Sequence, residues 1–273
     1  MVEFCGSLVG MTEFEDVRFE VDGTTAVVTI NRPERYNAFR GQTVEELIAA
    51  FKLAWADRRV AAIILTGAGD KAFCSGGDVK QRAETGDYGP TSNGLWEVNY
   101  FHKLVRDIPK PVIAAVNGVA IGGGHVFHVL CDVSIASDTA RFGQAGPRVG
   151  SFDAGFGTAY LARVVGEKRA REIWFWCRQY DAATAERWGL VNKVVPPHEL
   201  MPEAMRWAEE VAQMSPTAIR FLKHSFNADT DHQAGIGNMA DAGLDLFVET
   251  PEGREGALAF TEKRQPDFAR FGR

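Results

Sequence analysis

Three short, nearly continuous apolar runs, at residues 61–66, 112–116 and 133–136, constrain the fold of this chain most. Each is rich in β-branched residues, the pattern of a strand covered on both faces, and helical periodicity fills the stretches 95–107 and 124–130 between them. Strand-then-helix order implies parallel strands joined by right-handed crossovers, an α/β architecture whose functional loops gather at the carboxyl ends of the strands. A β-hairpin precedes them, with residues 17–21 and 26–30 flanking Asp22-Gly23. The spacing of Val44, Leu47, Ile48 and Phe51 predicts a helix over 43–56, with Thr43 as N-cap and Glu46 at its third position. From about residue 163 the pattern turns helical, at 168–176, 182–188, 202–214, 216–227 and 235–248, with one further strand at 190–195. The apolar faces of these last helices are large for so small a piece, so they are expected to pack on the core or on another subunit. The chain is read as a core over 11–200 and a helical region over 201–273, with Met11 as a natural start.

Two glycine-rich segments lie about fifty residues apart, Ala72-Phe73-Cys74-Ser75-Gly76-Gly77-Asp78 and Val119-Ala120-Ile121-Gly122-Gly123-Gly124-His125, each after a strand-like run. Glycine has no Cβ, so a ligand can approach the main chain closely, and two such loops can aim backbone N–H groups at one oxygen. Paired N–H donors stabilise an oxyanion, each contributing about 3 kcal/mol. A lone Gly-Gly-Gly is more often a turn or packing device; two loops at strand ends favour a functional role.

With 45% of its 273 residues hydrophobic, the chain can bury a large core. Its 36 acidic and 30 basic side chains are interspersed, and the formal charge of -6 leaves no basic stripe for a phosphate backbone, which argues against nucleic acid as a partner. Cys5, Cys74, Cys131 and Cys177 are widely spaced, as fits reduced thiols in the cytoplasm. No stretch approaches the ~20 apolar residues of a membrane span, so a soluble cytoplasmic protein is expected. His125 and His128 lie three apart on an expected helix, but without a third ligand they read as packing histidines rather than a metal site.

Arg32-Pro33 followed by Asn37-Ala38-Phe39, the loop from Phe73 to Asp78, Pro109-Lys110-Pro111-Val112, Ile121-Gly122-Gly123-Gly124, Cys131-Asp132 and Phe142-Gly143-Gln144 together resemble the crotonase (enoyl-CoA hydratase/isomerase) superfamily over residues 17–268. The resemblance implies a spiral of ββα turns and a C-terminal helical region that builds trimers, often paired into hexamers, and completes a neighbouring active site. It implies a coenzyme A thioester as substrate, no tightly bound cofactor, and Gly77 and Gly123 as the oxyanion donors. Ala38, Ser75, Gly76 and Asp78 are the expected CoA-binding residues around them. Arg35, Arg40 and Lys80 are candidates for the CoA phosphates, with plain surface charge as the alternative. Phe260 and Lys263 match tail residues that contact CoA from an adjacent subunit.

Hydratases of the superfamily use two glutamates, and this chain has Val126 and Gly146 in their places. Addition of water needs an acid and a base within reach, so plain hydration is disfavoured. The stretches 142–155, 124–128, 170–174, 177–180 and 263–268 are similar instead to 1,4-dihydroxy-2-naphthoyl-CoA synthase and 2-ketocyclohexanecarboxyl-CoA hydrolase. That similarity implies that Gln144, Gly146 and Trp174 seat a bicarbonate in place of the missing carboxylate, and that Ser151 and Asp153 act on a second carbonyl of the substrate. Taken as residues alone, Gln144 reads as well as a buried amide, Trp174 as core, and Asp153 as the cap of a helix beginning near Gly155. Those relatives have a tyrosine in the C-terminal helix of a neighbouring subunit, where this chain has Val248, with Tyr88 and Tyr100 as other sources of a hydroxyl. The expected chemistry is enolisation of a CoA thioester and intramolecular Claisen closure, or its reverse in ring-opening hydrolysis. An enoyl-CoA hydratase/isomerase-like enzyme of other specificity and a non-catalytic CoA-binding protein are the remaining readings.

Overall fold

A computed structural model describes residues 14–272; Cys5 and the expected start at Met11 lie outside the described residues. β1 (Val17–Asp22) and β2 (Thr25–Ile30) form the expected antiparallel hairpin, turned at Gly23 with φ 56°. They are followed by α1 (Gly41–Ala56), β3 (Ala62–Gly67), β4 (Ala72–Cys74), α2 (Val79–Thr85) and α3 (Val98–Asp107). Next come β5 (Val112–Val116), β6 (Val119–Ile121), α4 (Gly123–Leu130), β7 (Val133–Ser137), β8 (Arg141–Gly143), α5 (Leu161–Val165) and α6 (Glu167–Trp176). The chain ends in β9 (Gln179–Asp181), α7 (Ala182–Arg187), β10 (Lys193–Val195), α8 (Leu200–Ala212), α9 (Pro216–Ala228), α10 (His232–Val248) and α11 (Pro251–Thr261). None of the described helices is long and apolar enough to cross a membrane.

Two sheets result. The larger runs in the order β1-β2-β3-β5-β7-β10 and is parallel from β2 onward. The smaller runs β4-β6-β8-β9, parallel across its first three strands and closed by antiparallel β9. Each of β3, β5 and β7 hands the chain to a short strand of the second sheet before the next helical stretch, which is the repeating ββα turn. The glycine segments therefore leave β4 and β6, not the long strands as the apolar runs suggested. Strands of three residues are too short to show a period, so they were hidden in the loops.

Two helices also escaped the sequence pattern, α2 and α11. α11 begins with Pro251 after Thr250, whose hydroxyl accepts the Gly253 N–H at 3.1 Å. Its glycines lower helix propensity but permit close packing: a Cβ on Gly256 would lie 2.1 Å from the Gly150 nitrogen. The expected cap of α1 is also corrected. Arg40 occupies the N-cap, while Thr43 stands at the third helical position, accepting the Arg40 N–H at 3.1 Å and donating to Asp16 at 2.6 Å. Glu46 instead receives the N–H groups of Glu15 and Asp16.

The core explains the continuous apolar runs. On one side of the larger sheet Phe51, Phe101 and Phe127 pack edge to face, with ring centroids 5.2 and 5.0 Å apart. On the other side α8 lays Leu200, Ala204 and Ala208 over Ala62, Ile64, Ile113 and Ile135. Both faces of β3 and β5 are thus dry. Near the first glycine loop a buried charge network does the fastening. The Arg32 guanidinium lies 3.1 Å from Asp78 and 3.6 Å from Asp16, and donates to the Ala38 carbonyl at 2.5 Å. Removing one partner of a buried pair strands the other charge, at a cost of about 3–5 kcal/mol. Arg32→Met is expected to lower the urea unfolding free energy by about 3 kcal/mol, whereas Arg59→Met, at the exposed pair with Asp57, is expected to leave it within error.

Candidate active site

Parallel pairing of β4 with β6 sets Ala72 opposite Val119 and Cys74 opposite Ala120, so the turns leaving these strands lie side by side. Their contact is backbone against backbone. A Cβ on Gly124 would sit 2.0 Å from the Cys74 carbonyl oxygen, and one on Gly76 would sit 3.1 Å from that of Ile121. Gly76 and Gly122 have φ of 95° and 59°, values that L side chains rarely adopt. Gly77 is bridged to Phe39: the Phe39 N–H donates to the Gly76 carbonyl at 2.9 Å and the Asp78 N–H to the Phe39 carbonyl at 2.9 Å. In that parallel register the Gly77 N–H points away from Phe39. Gly123 opens α4, so its N–H belongs to the unpaired first turn at the positive end of the helix dipole.

Both glycines line a cavity of about 880 Å³, whose walls come from the loops of the smaller sheet, α3, the segment 144–154, α10 and α11. Ala38, Ser75, Gly76 and Asp78 line it around the first glycine loop, and Arg35 and Lys80 stand on its rim. Arg40 does not reach it. Its guanidinium is bound to Asp16 at 2.8 Å and to Glu15 at 3.0 Å, and the hydrogen bond to Asp16 is the main reason its pKa is raised. Lys263 is likewise away from the cavity; the neighbouring Arg264 lines it, anchored to Glu255 at 2.5 Å. Arg148, which sequence reasoning passed over, adds another cation to the lining. Phe260 reaches the cavity from the chain's own α11, where the resemblance implied an adjacent subunit.

Of the two tyrosines considered, only Tyr88 is in the wall. A Cβ on Gly77 would lie 2.5 Å from the Tyr88 ring, which stacks on Trp96 at 4.6 Å. Tyr100 is exposed and lies beneath the Lys52 ammonium. Val126 is buried. Gly146 has no room for a side chain, since a Cβ would sit 2.7 Å from the Ser151 carbonyl and 3.1 Å from the Trp174 ring. Trp174 lines the cavity beside Gly146, with its indole N–H donating to the Gly157 carbonyl at 2.5 Å. Gln144 is 2% exposed, and neither of its amide atoms has a partner among the described residues. Such an unpaired buried group costs about 1–3 kcal/mol, so this amide is placed for a ligand.

Ser151 and Asp153 are half-buried in the same wall. The Asp153 carboxyl is pushed up to about 7, first by burial and then by the charge of Asp241, against a hydrogen bond from the Gly157 N–H. Gly155, not Asp153, is the N-cap of the π-helical turn Phe156–Tyr160, although that Gly157 bond keeps part of the capping role with Asp153. Sequence reasoning missed Asn99, His102 and Asp241, which reach the cavity only because α3 and α10 meet across it. A composition or spacing signal for them does not exist, since the last two lie far apart in the chain. His102 stands edge-on to Phe127 at 5.6 Å with both ring nitrogens unpaired, and burial pushes its pKa down to about 3. His125 and His128 are buried ring against ring at 4.9 Å, and burial holds both neutral.

A ββα spiral that sets two bare glycine turns over a cavity with a titratable carboxyl defines a thioester enzyme of the crotonase fold. Residues 20–270 match the family model described as enoyl-CoA hydratase/isomerase. The chain belongs to that family, within the crotonase superfamily. Among solved structures it is similar to an enoyl-CoA hydratase from Mycobacterium avium subsp. paratuberculosis K-10, at 27% identity and TM-score 0.83, covering 94% of this chain and 99% of that one. A carnitinyl-CoA hydratase from Mycobacterium avium is 31% identical with TM-score 0.82, over 93% and 98% of the two chains. A monofunctional enoyl CoA isomerase from M. smegmatis is 32% identical with TM-score 0.68, over 79% and 94%.

The buried histidines set a pH limit on the fold. The ordinary value is 6.5 and the folded value of His102 and His125 is about 3, so below 6.5 the unfolded chain binds protons that the folded chain does not. Their contribution is complete above pH 6.5 and is lost as the pH falls toward 3. His102→Phe is expected to make the fall in urea midpoint between neutral and mildly acidic pH shallower than in the wild type; an identical slope would show that His102 ionises freely in the folded chain.

Proposed function

We propose that the cavity binds an acyl-CoA thioester, that the Gly77 and Gly123 N–H groups hold the thioester oxygen as it becomes an enolate, and that Asp153 transfers a proton in carbon–carbon bond chemistry. The reaction is an intramolecular Claisen closure of the 1,4-dihydroxy-2-naphthoyl-CoA synthase kind or, in reverse, ring opening of a cyclic β-keto acyl-CoA. The observation that carries this reading is Asp153: a carboxyl of pKa about 7 lining the same cavity as both glycine turns, in a site whose two glutamate positions are Val126 and Gly146. A carboxyl titrating near neutrality can donate and accept a proton at working pH.

In the closing direction the α C–H bond breaks, its electron pair enters the enolate, and the enolate carbon forms a bond to a second carbonyl carbon. The oxygen of that carbonyl, part of a carboxyl group, takes the proton of Asp153, with the Ser151 hydroxyl beside it; the adduct then loses water to leave the ring ketone, and the α proton taken up by the base returns to Asp153. In the reverse direction water supplies the nucleophile, and the Asp153 proton returns to the departing enolate carbon. Gln144 and Gly146 both line the cavity, and the unpaired Gln144 amide fits a small anion held there. Bicarbonate bound there would supply a carboxylate-like base. Trp174 would border that anion with its ring edge, since its indole N–H is taken by Gly157. Arg35, Lys80, Arg148 and Arg264 are suited to the CoA phosphates.

An isomerase or hydratase of another acyl specificity is the second reading. The names of the similar structures favour it, and one carboxyl near neutrality could take a proton from one carbon and return it to another. Self-association as a trimer, alone or paired into a hexamer, is part of the proposal. Phe221 and Phe226 on α9 and Met239 and Leu246 on α10 stand more than two-thirds exposed, at 72%, 73%, 71% and 76%. Light scattering is expected to give about three times 30.0 kDa or a multiple of that mass; a monomer would refute the assembly.

The deciding assay offers the purified protein o-succinylbenzoyl-CoA, 2-ketocyclohexanecarboxyl-CoA and crotonyl-CoA, each with and without bicarbonate. Turnover of one of the first two is expected, with crotonyl-CoA left unhydrated. Asp153→Asn is expected to lower kcat by about 10²-fold or more, the scale of a lost acid–base group. Rapid hydration of crotonyl-CoA, or full activity of the Asn variant, would overturn the reading.

A further inference from the structure

The cavity holds a second carboxyl that the reaction above does not use. Asp241 lies on α10, seven residues and two helical turns before Val248, on the same side of that helix. The helix is pressed against the loop that carries Asp153. A Cβ on Gly155 would lie 2.6 Å from the Gly237 nitrogen and 3.0 Å from the Gln233 carbonyl, so the two backbones touch there. On the other side of Asp153, Phe152 meets Phe247 at 5.7 Å. Asp153 is therefore clamped to α10 before and after its own position, and both aspartates line one cavity.

Resting on the reading of Asp153 as the proton-transfer group, we propose that Asp241 is its positioning residue: α10, packed against the Asp153 loop, holds the Asp241 carboxyl in the wall of the same cavity, where the charge of one carboxyl acts on the other. The electrostatics run the same way. Burial and the charge of Asp245 raise Asp241 while the Asn99 side chain pulls it back down; burial is the main cause that raises Asp153, and the charge of Asp241 adds to it.

Arg35, Lys80 and Arg148 also line the cavity; the cations of α3 and of the α11 region are engaged elsewhere. From α3 come His102, held neutral, and Arg106, whose guanidinium is taken by Asn227, Thr230 and Asp231. From α10 itself comes Asp245, and from the region of α11 comes Arg264, bound to Glu255 and Glu262.

The pair is tested by following the carboxyl carbons of the full-length, ¹³C-aspartate-labelled protein through a pH titration, without any substrate. One resonance is expected to titrate near pH 7 and to be missing in Asp153→Asn. In Asp241→Asn that resonance is expected to titrate at lower pH, because a like charge has gone, while Asp241→Glu, which keeps the charge, leaves it close to the wild-type position. Asp241→Ser serves as the second variant if the first does not fold. An unmoved Asp153 titration in a folded Asp241→Asn or Asp241→Ser protein overturns the pair. This outcome is separate from the fate of the reaction: a titration that moves as expected supports the pair even where none of the three thioesters is turned over.

Discussion

The contact on which the rest depends is the one between the turns that leave β4 and β6, where the chain has no side chains at all. Gly124 rests on the Cys74 carbonyl and Gly76 on that of Ile121, at distances that a single Cβ would violate. That approach brings the Gly77 N–H, freed by the bridge to Phe39, to the same cavity as the first N–H of α4. Two donors held by strand pairing, a bridge and a helix start need no rearrangement when charge develops between them, which is what preorganised stabilisation requires. The second sheet exists, in functional terms, to hold this pair. The larger sheet and its buried aromatic layer give that small sheet something rigid to stand on.

Burial then assigns protonation around the turns. The same dry surroundings push the Asp153 carboxyl up and the imidazoles of His102 and His125 down, so the acid titrates near neutrality and the bases stay neutral. Nearby, Arg32 stands between Asp16 and Asp78 and neutralises both carboxylates, the second of which lines the cavity. The site thus separates structural acids, which are paired to arginines, from Asp153 and Asp241, which are not. A buried amide at Gln144 adds an unmet hydrogen-bonding demand, and a site with such a demand discriminates strongly against substrates that lack the matching polar atom.

The sequence made the long strands, the hairpin, most helices and both glycine turns legible, because each has a period or a composition of its own. It hid β4, β6 and β8, whose three residues carry no period, and α11, whose glycines at 253 and 256 serve packing against Gly150 rather than helix propensity. At the site, residues next to a motif were readable and residues brought by tertiary packing were not. Gln144, Ser151 and Asp153 follow the Phe142-Gly143 strand and were found; Asn99, His102 and Asp241 depend on how α3 meets α10 and were missed. Arg40 and Lys263 show the opposite error. Their charges sit in positions that a pattern favours, but Arg40 is tied to two carboxylates and Lys263 is not among the residues lining the cavity, as its neighbour Arg264 is.

Enolate formation is the central claim, and it can be observed without knowing the natural acyl group. The wild-type protein is incubated in D₂O with 2-ketocyclohexanecarboxyl-CoA and with o-succinylbenzoyl-CoA, and deuterium at the α-carbon is followed by NMR against the uncatalysed rate. The account expects enzyme-dependent exchange or turnover at that carbon with at least one of the two thioesters, weakened in Gly123→Val, where a side chain would strike the Phe39 ring. Absence of any α-carbon exchange or turnover from a protein that still binds the thioester would contradict it.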